Sequence, residues 1–142
     1  MANVFDVAAY ILLKNGAMTS MKLQKLAYYS QAWSLVWDEK PLFKEEIQAW
    51  ANGPVVPTLF KAHKGEFIVN KEKNGSQKKL LKVERETIDA VLKHYGKKTG
   101  RWLSALTHSE DPWRDARKGL KSSERGTQVI SHGALSDFYG NL

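Results

Sequence analysis

The chain has 142 residues, no cysteine, 42% hydrophobic residues and a formal net charge of +7. This size and composition predict one globular domain over residues 1–142 and argue against a disordered chain. The lack of cysteine excludes disulfide bonds, thiolate metal sites and a cysteine nucleophile, and it fits a cytoplasmic protein. The first residues carry Asp6 and no basic segment, so they do not resemble a signal peptide.

The first predicted helix follows Asn3, whose side chain can cap a helix N-terminus, with Asp6 favourably placed in the first turn. Apolar residues then recur at helical spacing as far as Leu12. Asn15 and Gly16 form a typical helix C-terminus. The next helix begins only a few residues later, so the two helices are expected to pack as antiparallel neighbours.

The second predicted helix runs from Thr19 to Trp37 and is apolar around almost its whole circumference. Such a helix is buried rather than amphipathic, so we expect it to form the centre of the core. It is too short and too polar to cross a bilayer, and no membrane association is expected. Thr19 or Ser20 can cap its N-terminus, and Pro41 prevents its extension.

The segment that follows the central helix predicts less regular structure. Residues Ile47–Trp50 form a short predicted strand, and Asn52-Gly53-Pro54 is a strong turn signal. A helix is expected to begin at Pro54 or Pro57 and to end near His63, because proline is tolerated in the first helical turn.

Two brief β-prone runs, Phe67–Val69 and Leu80–Val83, flank a polar segment at residues 70–79 and predict a small hairpin with a basic tip. The whole charge excess of +7 lies within residues 61–101. Two interpretations are open: a surface for an anionic partner such as nucleic acid, or a solvated lysine-rich loop. The second is favoured, because lysine outnumbers arginine and aromatic residues are not interleaved with the lysines of residues 71–82.

The C-terminal part predicts short helices separated by polar breaks. Glu84–Tyr95 carries an apolar stripe at helical spacing, and a glycine follows it directly. A helical segment at Trp102–Leu106 comes next, and one or two turns at Asp115–Leu120 follow a break over residues 107–113. Ser131 can cap a last helix. The predicted fold is therefore mainly α with a small β element (α+β): a compact helical domain around a buried central helix, with a short β-hairpin.

No residue pattern predicts catalysis, a cofactor or a metal site. The four histidines are not paired at metal-ligand spacing, and no phosphate-binding loop or nucleophile elbow is present. Ser109 follows His108, but adjacent residues rarely face each other, so a capping or turn role is expected. The acidic pairs Glu45-Glu46 and Glu110-Asp111 are interpreted as solvated turns. We therefore expect a protein that is not an enzyme.

Gln24, Tyr28 and Gln31 form a narrow polar line along the central helix. They predict either an internal hydrogen-bond network, because buried amides need partners, or the polar floor of a binding groove. The network is favoured. Trp50 and Trp113 are likewise expected to pack, although large aromatic residues can also anchor a binding surface.

Three separated segments resemble the sequence signatures of the Panacea-domain, or SocA-like, antitoxins, a family often encoded in prophages. They are KLQKLAYYSQAW (Lys22–Trp33), PLFKEEIQAWANGPVVP (Pro41–Pro57) and LTHSEDPW (Leu106–Trp113). The resemblance extends from about Val4 to Tyr139 with the segments in the same order, whereas Phe67–Val83 matches nothing distinctive.

The resemblance implies a mainly helical domain with a small β element, and an antitoxin that binds and neutralises a cognate toxin. One branch of the family delivers its toxin to a cytoplasmic protease, so a proteolytic adaptor is a second form of the same prediction. The resemblance transfers no catalytic residue. The alternative function is a nucleic-acid-binding regulator that uses residues 61–101. The expected partner-binding residues are Gln24, Tyr28, Gln31, Trp50, His108 and Trp113.

Overall fold

The computed structural model describes residues 1–142 and contains seven α-helices and two short pairs of antiparallel strands. The helices are α1 (Val4–Asn15), α2 (Ser20–Trp37), α3 (Pro57–Ala62), α4 (Lys82–Tyr95), α5 (Gly100–His108), α6 (Asp111–Ala116) and α7 (His132–Gly140). The strands are β1 (Met18–Thr19), β2 (Gln48–Trp50), β3 (Gly53–Val55) and β4 (Ile68–Val69), and a 3-10 helix spans Gln77–Lys79. The predicted fold class, mainly α with a small β element, is confirmed.

The central position of α2 is also confirmed. Every residue from Leu23 to Ala32 is buried, and α1, α4, α5 and α7 all pack around this helix. Thr19 caps the N-terminus, because its hydroxyl accepts a hydrogen bond from the backbone nitrogen of Lys22 at 3.1 Å. No helix combines the length and the hydropathy that a bilayer crossing requires.

Both ends of α1 agree with the sequence prediction. Asn3 and Asp6 form a reciprocal capping box, with hydrogen bonds of 3.1 and 3.0 Å. At the other end, Gly16 has a φ of 81°, a conformation that glycine adopts without the steric cost of a side chain. The Asn15 side chain donates to the carbonyl oxygen of Gly96, so the ends of α1 and α4 lie side by side.

The short hairpin of the fold is formed by β2 and β3. Gln48 is opposite Val55 and Trp50 is opposite Gly53, so the tight turn contains Ala51 and Asn52. The predicted strand at Ile47–Trp50 agrees with β2, whereas the predicted turn is only partly right, because Gly53 and Pro54 belong to β3. On its other edge, β2 contacts the segment before α7, where the backbone nitrogen of Ala49 donates to the carbonyl oxygen of Gln128.

The hairpin predicted for Phe67–Val83 is wrong. Instead, β4 pairs with β1, and Leu80–Val83 leads from the 3-10 helix into α4. The loop before the 3-10 helix packs on α1, where the backbone nitrogen of Ser76 donates to Asp6 at 2.8 Å. The β-propensity of two short runs did not determine their pairing, because β-propensity depends strongly on tertiary contacts.

Helix α6 begins earlier than predicted, at Asp111 rather than at Asp115. Pro112 occupies its first turn, a position in which the missing N–H of proline costs nothing. The residues interpreted as a polar break therefore belong partly to α5, which continues to His108, and partly to α6. The two helices are separated only by Ser109 and Glu110.

The interpretation of Glu110 as part of a solvated turn is wrong. Its carboxyl group is buried, and Oε1 accepts hydrogen bonds from the hydroxyls of Tyr29 at 2.7 Å and Tyr139 at 2.8 Å. Burial raises the pKa of the Glu110 carboxyl above its ordinary value, and the two hydrogen bonds oppose this rise. Glu110 thus connects α2 with α7 inside an aromatic cluster.

Candidate partner-binding groove

A groove of about 450 Å³ opens between the β2–β3 hairpin, the first turn of α2 and helix α3. We call it the Trp50 groove, and its main lining residues are Met21, Gln24, Trp50, Val55, Phe60 and Arg125. The rings of Trp50 and Phe60 meet edge to face, with 5.0 Å between their centroids. Met21 and Phe60 are 41% and 40% exposed, so two large apolar side chains face solvent on the groove walls.

Gln24 lies at the floor of the groove and binds the backbone of Val56, between β3 and α3. Its Oε1 accepts from the backbone nitrogen of Val56 at 2.8 Å, and its Nε2 donates to the carbonyl oxygen of the same residue at 3.3 Å. The amide therefore acts as a strand partner for the segment that joins β3 to α3. Both polar atoms of Gln24 are engaged by this backbone contact.

Lys25 lies beneath the hairpin and is buried without a carboxylate partner. Its Nζ donates to the carbonyl oxygen of Pro54 at 3.1 Å. Burial lowers the pKa of the Lys25 ammonium to about 8, because a charged group is costly away from water. The side chain thus contacts the underside of β3 at a large desolvation cost.

Gly53 allows this close approach of the hairpin to α2 and α5. Its φ is +125°, and a Cβ there would lie 2.6 Å from Lys25 Cε and 3.2 Å from Thr107 Oγ1. A larger residue would need both a strained backbone and displacement of a buried neighbour. Ser104 on α5 adds a hydrogen bond from its hydroxyl to the carbonyl oxygen of Asn52 in the turn.

The wall that carries Trp50 is supported from behind by Trp113. The indole nitrogen of Trp113 donates to the carbonyl oxygen of Trp50 at 2.7 Å. Trp113 is in turn packed against His108, because the two rings stack with a centroid distance of 4.0 Å and an interplanar angle of 9°. Residues from α5 and α6 therefore position a groove wall that belongs to β2.

The His108 imidazole is held in an environment that favours its neutral form. Burial lowers its pKa, and the positive charges of Lys25 and Arg117 lower the pKa further, against an opposing contribution from the backbone of Asn52. Its Nε2 is buried and has no hydrogen-bond partner. The ring consequently acts as a flat packing surface for Trp113.

Arg117 organises the loop that completes the groove. Its buried guanidinium donates to the backbone carbonyl oxygens of Ala49 (2.8 Å), Lys121 (3.0 Å), Glu124 and Arg125 (2.9 Å). This set of bonds fixes the loop against β2 and places the guanidinium of Arg125 over Trp50, 4.1 Å from the ring centroid. Arg125 forms part of the groove lining as a result.

The structure distributes the six predicted site residues over three layers. Gln24 and Trp50 line the groove, and His108 and Trp113 lie one layer behind it. Tyr28 and Gln31 lie in the core and are 1% and 0% exposed, which leaves them no surface for direct contact with a partner. Their involvement in binding stays a prediction, while their internal hydrogen bonds explain why they are polar.

Those internal hydrogen bonds correspond to the network interpretation of the polar line. The Tyr28 hydroxyl pairs with the Tyr139 hydroxyl at 3.0 Å. Gln31 accepts from the backbone nitrogens of Leu42 and Phe43 and donates to the carbonyl oxygen of Phe43 at 2.8 Å. Gln31 therefore anchors the loop between α2 and β2 to the central helix.

Sequence reasoning missed Met21, Phe60, Arg117 and Arg125. An apolar residue in the first turn of α2 and another in a short helix carry a weak signal of their own, because single exposed apolar residues are common. The two arginines carry no local signal. Their roles arise only because the loop after α6 returns to β2.

These features define a mainly α domain in which a short hairpin is held against a central helix and forms one wall of an open groove. The family model described as "Antitoxin SocA-like, Panacea domain" matches residues 23–114, so the chain belongs to this family. No curated protein and no solved structure matches the chain significantly. The matched range includes the hairpin and Trp113, while Arg117 and Arg125 lie outside it.

Proposed function

We propose that this protein is a cytoplasmic, single-domain antitoxin that neutralises a cognate toxin by direct and stoichiometric binding. The observation that carries the proposal is the convergence of the three signature segments on the Trp50 groove. Gln24 comes from the first segment, Trp50 and Gly53 from the second, and Trp113 from the third. Membership of the SocA-like family supports a toxin as the partner.

The groove has the composition of an interface centre. Tryptophan and arginine are enriched among the residues that dominate binding energy, and both occur here as Trp50 and Arg125. A specific interface needs about 800 Å² from each partner. The groove would supply the centre of such an interface, and the surrounding surfaces of α2 and α3 would supply the remainder.

The polar groups around the groove support binding rather than catalysis. Gln24 and Lys25 direct their polar atoms at backbone groups of the hairpin region. The His108 Nε2 atom is buried behind Trp113 rather than presented to the groove. We therefore propose a binding protein rather than an enzyme.

The test is a titration of purified toxin with purified antitoxin, using the product of the neighbouring reading frame as the toxin. Toxin activity should disappear near molar equivalence, and a stable complex should elute on gel filtration. Silencing of excess toxin by trace antitoxin without a protease would contradict the proposal. Silencing that requires an added cellular protease would retain binding and identify the proteolytic adaptor form.

A nucleic-acid-binding regulator is the second candidate, and one cluster favours it. Lys97, Lys98 and Arg101 are exposed beside Trp102, whose ring lies 4.6 Å from Lys98 Nζ. Basic side chains around an exposed aromatic ring suit single-stranded nucleic acid. This function predicts retention on DNA or RNA that falls steeply as salt concentration rises, whereas toxin binding alone predicts no such retention.

A further inference from the structure

We propose that the Trp50 groove binds a short acidic and apolar peptide segment of the partner protein. An apolar side chain of this segment packs against Trp50 and Phe60, and a neighbouring carboxylate pairs with Arg125. The inference rests on the proposed function, because the partner is the toxin. It adds the chemistry of the segment that is recognised.

The apolar part of the proposal follows from the side chains that the fold leaves uncovered. Met21 and Phe60 come from different helices, and both expose about two fifths of their surface at the same groove as the half-buried Trp50. The groove volume of about 450 Å³ is in the range of small ligand clefts, roughly 300–1,000 Å³. It therefore accommodates one or two side chains of a peptide rather than a whole domain.

The acidic part of the proposal follows from Arg125. The one histidine, lysine or arginine side chain in contact with a carboxylate is His63, which meets Glu72 at 2.6 Å, so Arg125 has no carboxylate partner of its own. Its guanidinium lies over the Trp50 ring, and the residue is exposed to solvent. Guanidinium groups bind carboxylates through two parallel hydrogen bonds. A carboxylate beside an apolar side chain is thus complementary to this wall.

The same groove suits nucleic acid less well. The Gln24 amide on its floor is already engaged with Val56, so it offers no free donor to a phosphate or a base. Tight phosphate binding requires several cations along a path. Lys64 and Arg125 are the only lysine and arginine among the groove residues, and His63 is already paired with Glu72, so a peptide is the better occupant.

The experiment selects binders from a random peptide display library with the immobilised full-length protein, and removes peptides that also bind the Phe60→Ser variant. The remaining peptides should contain an apolar residue close to aspartate or glutamate. The affinity of a synthetic copy should fall about tenfold for Arg125→Glu, which corresponds to about 1.4 kcal/mol, and stay unchanged for Arg114→Glu. Replacing the acidic residue of the peptide by arginine should restore binding to Arg125→Glu.

Two controls separate binding from folding. Phe60 and Arg125 are exposed and contact the Trp50 ring at the surface, so thermal melts of both variants should keep one cooperative transition with a small decrease in midpoint. Leu81→Ser removes exposed apolar surface away from the groove. Selected peptides that are basic or uncharged would overturn the proposal, and so would equal binding to all variants. Displacement of the peptide by a short oligothymidylate would assign the groove to nucleic acid instead.

The outcomes also distinguish this inference from the proposed function. If Phe60→Ser and Arg125→Glu still neutralise the toxin at molar equivalence, the toxin binds elsewhere and only the groove assignment fails. If the wild-type protein forms no complex with the toxin while acidic and apolar peptides bind the groove, the proposed function fails and the peptide chemistry remains.

Discussion

The indole nitrogen of Trp113 and the carbonyl oxygen of Trp50 are joined by a hydrogen bond of 2.7 Å, which connects the start of α6 with the end of β2. Residues 63 positions apart in the chain are thereby placed on the two sides of one wall. The bond explains why a Pro-Trp sequence next to α5 belongs to the same site as the hairpin.

The first prediction concerns this bond. Trp113→Phe keeps an aromatic ring against His108 but removes the donor, so the Trp50 carbonyl loses its partner. We expect the free energy of unfolding to fall by about 1–2 kcal/mol in urea denaturation. Trp102→Phe is the matched control, because Trp102 is 45% exposed. Equal effects of both substitutions would show that the hydrogen bond adds nothing.

The second prediction separates steric overlap from backbone strain at Gly53. Gly53→Ala should destabilise the protein by more than Gly119→Ala, because both glycines have positive φ but only Gly53 has buried neighbours within 4 Å. Backbone strain alone costs about 1–2 kcal/mol. Unfolding midpoints of the two variants measure the difference, and similar midpoints would mean that the Lys25 side chain moves aside freely.

The third prediction is a pH dependence caused by Lys25. Its pKa is lowered from 10.5 to about 8 in the folded protein, so the unfolded chain binds more protons between these values. The free energy of unfolding should therefore rise with pH across this window, by about 3 kcal/mol for full burial. The Lys25→Met variant should lack this rise, although it also loses the bond to Pro54.

The measurement for Lys25 is the difference between wild-type and Lys25→Met unfolding curves at several pH values. The difference removes the titration of other groups that the two proteins share. A difference that stays constant through the window would show that the buried ammonium keeps its ordinary pKa.

The fourth prediction tests the central helix. Leu26 is fully buried in α2, so Leu26→Ala should lower the free energy of unfolding by about 2–5 kcal/mol through lost burial and a residual cavity. Leu13→Ala is the control, because Leu13 is 64% exposed and its truncation should change stability little. An unchanged urea midpoint for Leu26→Ala would contradict the central role of α2.

The fifth prediction concerns the lysines before α4. Lys71, Lys73, Lys78 and Lys79 are exposed, and none forms an ion pair. Replacing all four with serine should leave both the thermal melt and the rescue of toxin-expressing cells intact. A loss of rescue with an unchanged melt would place the partner on this basic loop. A loss of nucleic-acid retention would instead favour the regulator.

Sequence patterns were sufficient to predict the helices whose start, end and buried face are determined by neighbouring residues. The caps Asn3, Thr19 and Ser131 and the apolar periodicity of α1 and α4 act within a few residues, so they predicted these helices correctly. The uniformly apolar surface of α2 also predicted its burial. The same reasoning predicted that Gln31 would need internal partners, because an amide inside a core must be hydrogen-bonded.

Only the tertiary structure decided the pairing of β4 with β1, the burial of Glu110 and the position of the loop held by Arg117. Each depends on contacts between groups that are distant in the sequence, and local propensity does not determine which distant groups come into contact. The Trp50 groove is such a case, because its walls come from α2, the hairpin, α3 and the loop at Arg125. Gln24 and Trp50 were predicted from the sequence, whereas Met21, Phe60 and Arg125 were not, because their convergence required the packing of the whole chain around α2.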